Sequence, residues 1–389
     1  MIVLLGPTLV RSADLRLSTQ GSVEYDSNIR RSPTNAESDA VWRFSQKMRL
    51  SQTESGYDYY VEYRLPYQVS TRTATLRDLN HFVAVGGRYQ LGPKTSLSMR
   101  NNFTFVNSSS RLQFEDDAGV LQIDRRDELI TRISGGLTLG HVFTKRVQGS
   151  LNFPYSYFDS TDDNRRPVST VGGVGSLSYA VDSKNRVGFG ANVTRQAFDD
   201  LPGSPGSETI TYRGFLSWIV RFDETLSLSL RGGPTLLSTR QNSPSAGRSE
   251  TFTFFGTALL TKRWTPRVRT SINYRRTQSD ASGLGGTTIL DAVGASLSWR
   301  LSQLWSSSLR FDWTQRESVA GLDPNPISTR RWAIGARLVR TLSPRLKATL
   351  RLSFNRQLSR RRSAGRSTDF DTFGAILGFS YLFDPIAVW

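Results

Sequence analysis

The chain has 389 residues, a formal net charge of +17, no cysteine and a hydrophobic fraction of 37%. The lack of cysteine excludes a disulfide framework and a thiolate metal site, and no stretch approaches the roughly 18 consecutive apolar residues that a membrane helix needs. The basic residues are spread along the chain at period two instead of being concentrated in one arm or helix, which argues against nucleic-acid binding.

The N-terminus carries a short apolar run over residues 2–10, followed by the small residues Ser12 and Ala13. This order resembles the end of an export signal, although a basic start and a longer apolar core are missing. We therefore interpret residues 1–13 as the remnant of an export signal, residues 14–383 as the folded domain and residues 384–389 as a C-terminal tail.

Apolar and polar residues alternate along most of the folded domain. In the clearest segment Tyr59 and Val61 share one parity, while Asp58, Glu62 and Arg64 occupy the other. Successive side chains of a strand point to opposite faces, and segments of about ten such residues are typical of transmembrane β-strands. Eighteen segments follow this pattern, with the approximate spans 14–25, 41–51, 57–68, 80–90, 96–106, 128–139, 146–157, 169–181, 186–197, 209–222, 226–236, 251–261, 268–276, 287–300, 305–314, 330–341, 345–356 and 371–383.

The connections between these segments alternate between short and long, eight of the first kind and nine of the second. Bacterial outer-membrane barrels have short periplasmic turns and longer extracellular loops. We therefore predict an all-β fold, a closed antiparallel transmembrane β-barrel of about 18 strands, within a range of 16–18. A soluble β-sandwich or propeller is the alternative, and the absence of a repeated blade motif disfavours it.

Tryptophans are expected to collect at both membrane interfaces of such a barrel. In the predicted topology the periplasmic strand ends carry Trp218, Trp299 and Trp305. The outer strand ends carry Trp42, Trp313 and Trp332. These residues are predicted to form two aromatic girdles.

The last segment ends in Gly378, Tyr381 and Phe383, a Gly-x-x-aromatic-x-aromatic pattern. It resembles the C-terminal signal by which bacterial outer-membrane barrels are recognised by the barrel assembly machinery. The resemblance implies that machinery as a partner and a Gram-negative outer membrane as the location. The signal usually ends the chain, whereas here the tail follows it.

One parity of the strands would line the lumen, and it is strongly basic. A cationic wall in a confined space concentrates anions and repels cations. This predicts an anion-selective pore, and the alternative is a solvated wall whose arginines pair locally. The predicted lumen-lining basic residues are Arg43, Lys47, Arg49, Arg64, Arg88, Arg100, Arg132, Arg213, Arg231, Arg269, Arg275, Arg310, Arg337, Lys347 and Arg351.

Residues that could carry chemistry are few. The only histidines are His81 and His141, and neither stands beside a serine and an acid in a recognisable arrangement. We therefore predict no enzyme activity, no cofactor and no metal site. The basic run 360–362 in the last outer loop is expected to contact lipopolysaccharide phosphates, and the loop 107–127 is the candidate for a constriction inside the pore.

A family resemblance enters at residues 23–32, which include Tyr25, Asp26 and Asn28. The stretch resembles an early motif of bacterial outer-membrane β-barrel porins encoded with exopolysaccharide gene clusters. The resemblance implies an exit channel or accessory barrel for an exopolysaccharide, with periplasmic polysaccharide-export components as partners, and a cationic lumen would suit an acidic polymer. A general anion-selective diffusion porin and a non-conducting structural or adhesive barrel remain as alternatives.

Overall fold

The computed structural model describes residues 13–29, 36–72, 77–107, 129–161, 165–201, 205–242, 248–280, 287–318, 327–361 and 369–388. Strands make up nearly all of this part of the chain. They are β1 (Ala13–Asp26), β2 (Asp39–Thr53), β3 (Tyr57–Ser70), β4 (Arg77–Leu79), β5 (His81–Gly92), β6 (Thr95–Asn107), β7 (Leu129–Val142), β8 (Val147–Ser160), β9 (Val168–Ala180), β10 (Asn185–Phe198), β11 (Ser207–Arg221), β12 (Leu226–Gln241), β13 (Arg248–Thr265), β14 (Val268–Asp280), β15 (Thr287–Arg300), β16 (Trp305–Ser318), β17 (Ile327–Thr341), β18 (Leu346–Arg361), β19 (Phe370–Leu382) and β20 (Ile386–Val388).

Eighteen long strands form one closed antiparallel barrel. Each pairs with its neighbour in the chain, and β1 pairs with β19 from Ser18↔Leu382 to Asp26↔Gly374, which closes the wall. The three-residue strands β4 and β20 are additions to this wall. The predicted fold is therefore confirmed, including the number of strands. Among the described residues no helix is long and apolar enough to cross a membrane.

The alternation in the sequence becomes an alternation of exposure in the wall. On β2 the side chains of Trp42, Phe44 and Met48 are 55%, 46% and 46% exposed, while Arg43 and Lys47 between them are partly covered. Apolar side chains facing outwards suit a lipid environment, since a closed sheet pairs the backbone groups of neighbouring strands with each other. The polar parity faces inwards and lines the lumen.

Six of the eight short turns share one hydrogen-bonding device. The side-chain oxygen of the first turn residue accepts hydrogen bonds from the backbone N–H groups two and three residues later, a local pattern that favours turns over regular structure. These first turn residues are Thr144, Asp182, Asp223, Thr265, Ser302 and Ser343.

The junction of β1 with β19, here called the closure seam, is extended at its short-turn end by the C-terminal tail. After β19, the short strand β20 pairs with β1 from Ala13↔Val388 to Leu15↔Ile386. Asp384, between the two strands, forms an ion pair with Arg345. The tail is thus part of the wall, while residues 1–12 of the predicted signal remnant lie outside the described residues.

The closure seam is locked at its outer end by the stretch that follows β1. The Asn28 N–H donates to Asp26 Oδ1 at 2.9 Å, and the Ser27 hydroxyl accepts from the Phe373 N–H of β19 at 2.8 Å. Asp26 and Ile29 are 3% and 1% exposed, and Ile29 packs on Val41. The residues that carry the family resemblance therefore hold the first strand of the barrel, β1, against the last, β19.

Candidate functional site: the cationic lumen

The fifteen basic residues predicted to line the lumen all lie on barrel strands and on the inward parity. Lys47 and Arg64, for example, are opposite each other on β2 and β3, and Arg337 and Arg351 are opposite each other on β17 and β18. Arg186 at the start of β10 also has this parity and donates to Gln148 Oε1 at 2.9 Å. It is the first polar residue of its segment, so the same parity argument could have found it.

A minority of these cations are neutralised by acids. On the wall formed by β1–β3, Arg43 forms an ion pair with Glu24, and Glu62 accepts from Lys47 Nζ at 2.8 Å and lies 3.4 Å from Arg49 Nη1. On β16 the Arg310 Nε lies 2.6 Å from Asp312 Oδ2. Local pairing, the alternative to an electropositive lumen, therefore holds for this part of the wall.

Seven of the inward arginines stand at one height, and we call them the arginine row. Each lies four or five residues from the short-turn end of its strand. At about 3.3 Å per residue and a strand tilt of about 40°, this is roughly 10–13 Å above the turns, near the middle of an apolar band about 25 Å tall. The row consists of Arg49, Arg88, Arg100, Arg231, Arg310, Arg337 and Arg351.

Five members of the arginine row have no carboxylate partner among the described residues; only Arg49 and Arg310 form ion pairs. In the described part of the chain the only carboxylate at the same height is that of Glu62, five residues from the start of β3. Most of the other inward positions at this height are serine, threonine, asparagine or glycine. The row therefore places several uncompensated positive charges around the narrow middle of the pore.

Aromatic rings support several inward guanidinium groups. The guanidinium carbon of Arg49 lies 4.2 Å from the Tyr60 ring centroid, and that of Arg64 lies 4.3 Å from Phe82. Arg132 stands 5.8 Å from the ring of Phe158. These are cation–π distances, at which the face of an aromatic ring attracts a guanidinium group.

A more compact group lies on β11–β13, where Arg231 stands 3.7 Å above the Phe215 ring and Arg213 lies 5.4 Å from Phe255. The two rings meet edge to face at 6.3 Å. Gly233 lies on β12, and a Cβ there would overlap the carbonyl oxygen of Gly214 on β11, so the backbones of these two strands approach closely at this point.

The six tryptophans predicted for the girdles all have the outward parity. Trp313 and Trp332 are paired across β16 and β17, while Trp218 and Trp299 lie near the short-turn ends of their strands. Trp264, which the prediction missed, is 65% exposed and donates to Thr270 Oγ1 at 2.9 Å. Its position beside a short turn in the sequence could have identified it as a girdle residue.

The two histidines serve as hydrogen-bonding residues in the wall. His81 Nδ1 lies 2.8 Å from the Tyr63 hydroxyl, and His141 Nδ1 lies 2.7 Å from Thr95 Oγ1. Within the described ranges no group of three His, Asp or Glu residues is placed to hold a metal ion. The predicted constriction loop 107–127, apart from Asn107, and Arg362 of the basic run lie outside the described residues.

No protein-family model matches the sequence, and no curated protein is similar enough to count as a relative. Solved structures are similar in fold. The FrpB iron transporter from Neisseria meningitidis (F5-1 variant) matches with a TM-score of 0.53 at 8% identity, over 96% of this chain and 83% of that chain. The ferric-catecholate import receptor Fiu from E. coli K12 matches with a TM-score of 0.51 at 8% identity, over 97% and 82%.

The outer membrane protein opdK from Pseudomonas aeruginosa has a TM-score of 0.47 at 11% identity, over 95% of this chain and 99% of that chain. At such low identities the matches above a TM-score of 0.5 show the fold alone. The chain has the fold of an integral outer-membrane β-barrel, as its alternating strands predicted.

Proposed function

We propose that this barrel is an outer-membrane channel for anions and that its cargo is an acidic polysaccharide leaving the cell. The arginine row is the observation that carries the proposal. Five guanidinium groups without carboxylate partners stand at one height in the lumen, where a low-dielectric wall strengthens their field. An anion that passes this height gains favourable interactions on several sides, and a cation is repelled.

The form of the cationic wall supports an acidic sugar polymer as the cargo. Guanidinium groups bind carboxylates through two parallel N–H donors, and aromatic faces beside them offer flat apolar contact to sugar rings. The lumen presents both features together at Arg64 with Phe82 and at Arg132 with Phe158. The resemblance of residues 23–32 to porins encoded with exopolysaccharide genes points to the same cargo. Under this proposal the partners are the barrel assembly machinery, lipopolysaccharide and polysaccharide-export components, and the channel performs no chemistry.

The first test is the reversal potential of the refolded barrel in a planar bilayer under a salt gradient. We expect a clear anion preference that falls several-fold in the variant R100Q/R337Q/R351Q. The matched control R195Q/R340Q/R356Q removes the same charge from the outward parity, where the three arginines contact Glu208, Trp305 and Asp371. An equal effect of the two variants would contradict the role of the arginine row.

The cargo is tested on the same channel with a short oligogalacturonate and a maltooligosaccharide of equal length. We expect the acidic oligomer to produce longer current blocks than the neutral one, and the difference to shrink in R100Q/R337Q/R351Q. Anion selectivity without any preference for the acidic oligomer would favour a general diffusion porin. A folded barrel without conductance would favour a structural or adhesive role.

A further inference from the structure

The wall is incomplete at one place, the outer half of the junction between β13 and β14, here called the open seam. Pairing between these strands ends at Gly256↔Arg276. Yet β13 continues to pair with β12 as far as Arg240↔Arg248, and β14 continues to pair with β15 as far as Asp280↔Thr287. In the described wall this is the one junction where both strands run on after their last shared pair, so the backbones diverge here.

At the open seam, side-chain contacts take the place of backbone hydrogen bonds between β13 and β14. The Arg276 guanidinium of β14 stands 4.6 Å from the Phe254 ring of β13. Arg213 Nη2 of β11 donates to Gln278 Oε1 of β14 at 2.7 Å, a contact that spans β12 and β13. Such contacts break and re-form through side-chain rotation, whereas a ladder of hydrogen bonds opens only cooperatively.

Buried donors without acceptors gather at the same place. The Nε of Arg213, the Nε of Arg276 and the Nε2 of Gln278 are all buried and have no hydrogen-bond partner. A buried donor without a partner destabilises the fold, so three of them in one region favour the binding of an acceptor. A phosphate supplies several acceptor oxygens at once.

At the open seam itself Arg276 is paired with Asp291 of β15 at 2.8 Å, whereas the two arginines behind the seam, Arg213 and Arg231, have no such partner among the described residues. Strands β10–β13 contain two carboxylates, Glu208 and Glu250, and these pair with Arg195 and Arg248 at 2.6 Å and 3.2 Å. Both acids have the parity of outward side chains, so Arg213 and Arg231 face the lumen without an acid from their own strands. Their support comes from the rings of Phe215 and Phe255. The region behind the seam is therefore selective for an anion.

An apolar groove of about 510 Å³ lies beside the last β13–β14 pair, where the open seam begins. Its lining includes Gly232 and Gly256, which have no side chain, and Ala258, which has only a methyl group, so these positions leave room. Trp218 and Arg231 also line the groove. Gly256 belongs to the last pair of the β13–β14 ladder, so the groove and the seam meet at this residue. The volume lies within the range of about 300–1,000 Å³ that is usual for small-molecule sites.

The height of the open seam fits the lipid headgroup region. Gly256 lies nine residues from Thr265 at the short-turn end of β13. With about 3.3 Å per residue and a tilt of about 40°, the seam begins roughly 23 Å above the turns, at the outer edge of an apolar band about 25 Å tall. Phe252 and Phe254, which are 75% and 57% exposed, occupy this level on the outer face.

We propose that the open seam is a lateral portal at which an anionic lipid of the outer leaflet docks. The phosphate headgroup passes between β13 and β14 to reach Arg213 and Arg231, and the acyl chain lies in the groove below Gly256. The occupant is thus a phosphate-bearing amphiphile and not a free anion, since only an amphiphile uses the arginines and the groove together.

Binding is tested by calorimetric titration of the refolded barrel, in a neutral maltoside detergent, with dodecyl phosphate. We expect R213Q/R231Q to bind at least tenfold more weakly, and A258W, which fills the groove, to bind more weakly as well. The control R340Q/R356Q neutralises two outward arginines on β17 and β18, away from the seam, and should bind as the wild type does. Unchanged binding by R213Q/R231Q, or equally tight binding of inorganic phosphate, would overturn the proposal.

The opening itself is tested with engineered cysteines, because the chain has none of its own. The pair T253C/S279C bridges the open seam in the register that the lower ladder sets, and T235C/T253C bridges the complete neighbouring ladder at the same residue. Disulfides need Cα atoms within about 7 Å. We expect the second pair to oxidise readily and the first to remain reduced; equal oxidation would show a closed wall and overturn the portal. Neither readout depends on conductance, so the proposed function can fail while the portal stands.

Discussion

Asp223 illustrates how single side chains fix the short turns. Its Oδ1 accepts hydrogen bonds from the Thr225 hydroxyl at 2.7 Å and from the N–H groups of Thr225 and Leu226 at 2.6 Å and 2.7 Å. The Thr225 hydroxyl, followed by these backbone donors, lowers the pKa of Asp223 to about 2. The ionised carboxylate is the form that these donors stabilise, so the turn depends on the charge of this residue.

The lowered pKa predicts a pH dependence with a definite sign. A group with a depressed pKa in the folded state stabilises it above the unfolded pKa, and the stabilisation is lost as the pH falls through the folded value. We expect the stability difference between the wild type and D223N to be constant at neutral pH and to shrink from about pH 4 down to about pH 2. Urea unfolding followed by tryptophan fluorescence measures this difference, and a constant difference down to pH 2 would refute the assignment.

At the scale of strands, the closure seam is distinguished by its outer lock. The Asn28 backbone N–H donates to Asp26 Oδ1, and the Asn28 side-chain Nδ2 donates to the Asp371 carbonyl at 3.4 Å. The Ile29 N–H donates to the Glu37 carbonyl at 2.7 Å. These bonds join β1, the loop after it and β19. The Tyr-Asp-x-Asn motif therefore has a structural role in barrel closure.

Removing the Asp26 carboxylate should open this lock. D26A leaves the buried Asn28 N–H without its acceptor, and we expect a loss of about 1–3 kcal/mol in the free energy of unfolding. The control is D14A on the same strand, whose carboxylate is half exposed and lies 3.6 Å from Arg16. Exposed substitutions of this kind stay within about 0.5 kcal/mol. Urea midpoints of the two variants test the lock, and similar midpoints would argue against it.

The sequence predicts the strands well because every strand presents one face to lipid. The apolar residues of that face therefore recur at every second position of each strand. It also predicts which arginines face inwards. It does not predict the open seam, because alternation continues on both sides of it, through Phe252 and Phe254 on β13 and through Tyr274 on β14. Nor does it predict the contact of Arg213 with Gln278, which joins strands that are not neighbours and depends on the curvature of the wall.

For the whole molecule, the distribution of charge around the lumen is uneven. The wall of β1–β3 carries Glu24 and Glu62 beside its cations, while the wall of β10–β13 has no inward acid. The field inside the pore is therefore directed across its width as well as along its axis. Under the proposed function, an acidic polymer would follow the side of the lumen that β10–β13 form.

Because this field acts through water, salt should screen it. The Debye length falls from about 10 Å at 0.1 M to about 3 Å at 1 M, which is short compared with the width of an aqueous pore of 18 strands. We expect the anion preference measured by reversal potential to decline markedly between these two concentrations. In R100Q/R337Q/R351Q the decline should be smaller, and a preference independent of salt would point to a local binding site instead.

The short strand β20 has a consequence for the connectivity of the wall. Because Val388 pairs with Ala13, the two ends of the described chain lie side by side at the short-turn rim. The strands can therefore keep their order around the wall while the chain begins and ends at a different strand. In a circular permutant that joins residues 13 and 388 and is cut in the turn between β11 and β12, all neighbour pairs persist. The former closure seam then becomes a connected hairpin, and a different pair of strands has to find each other last.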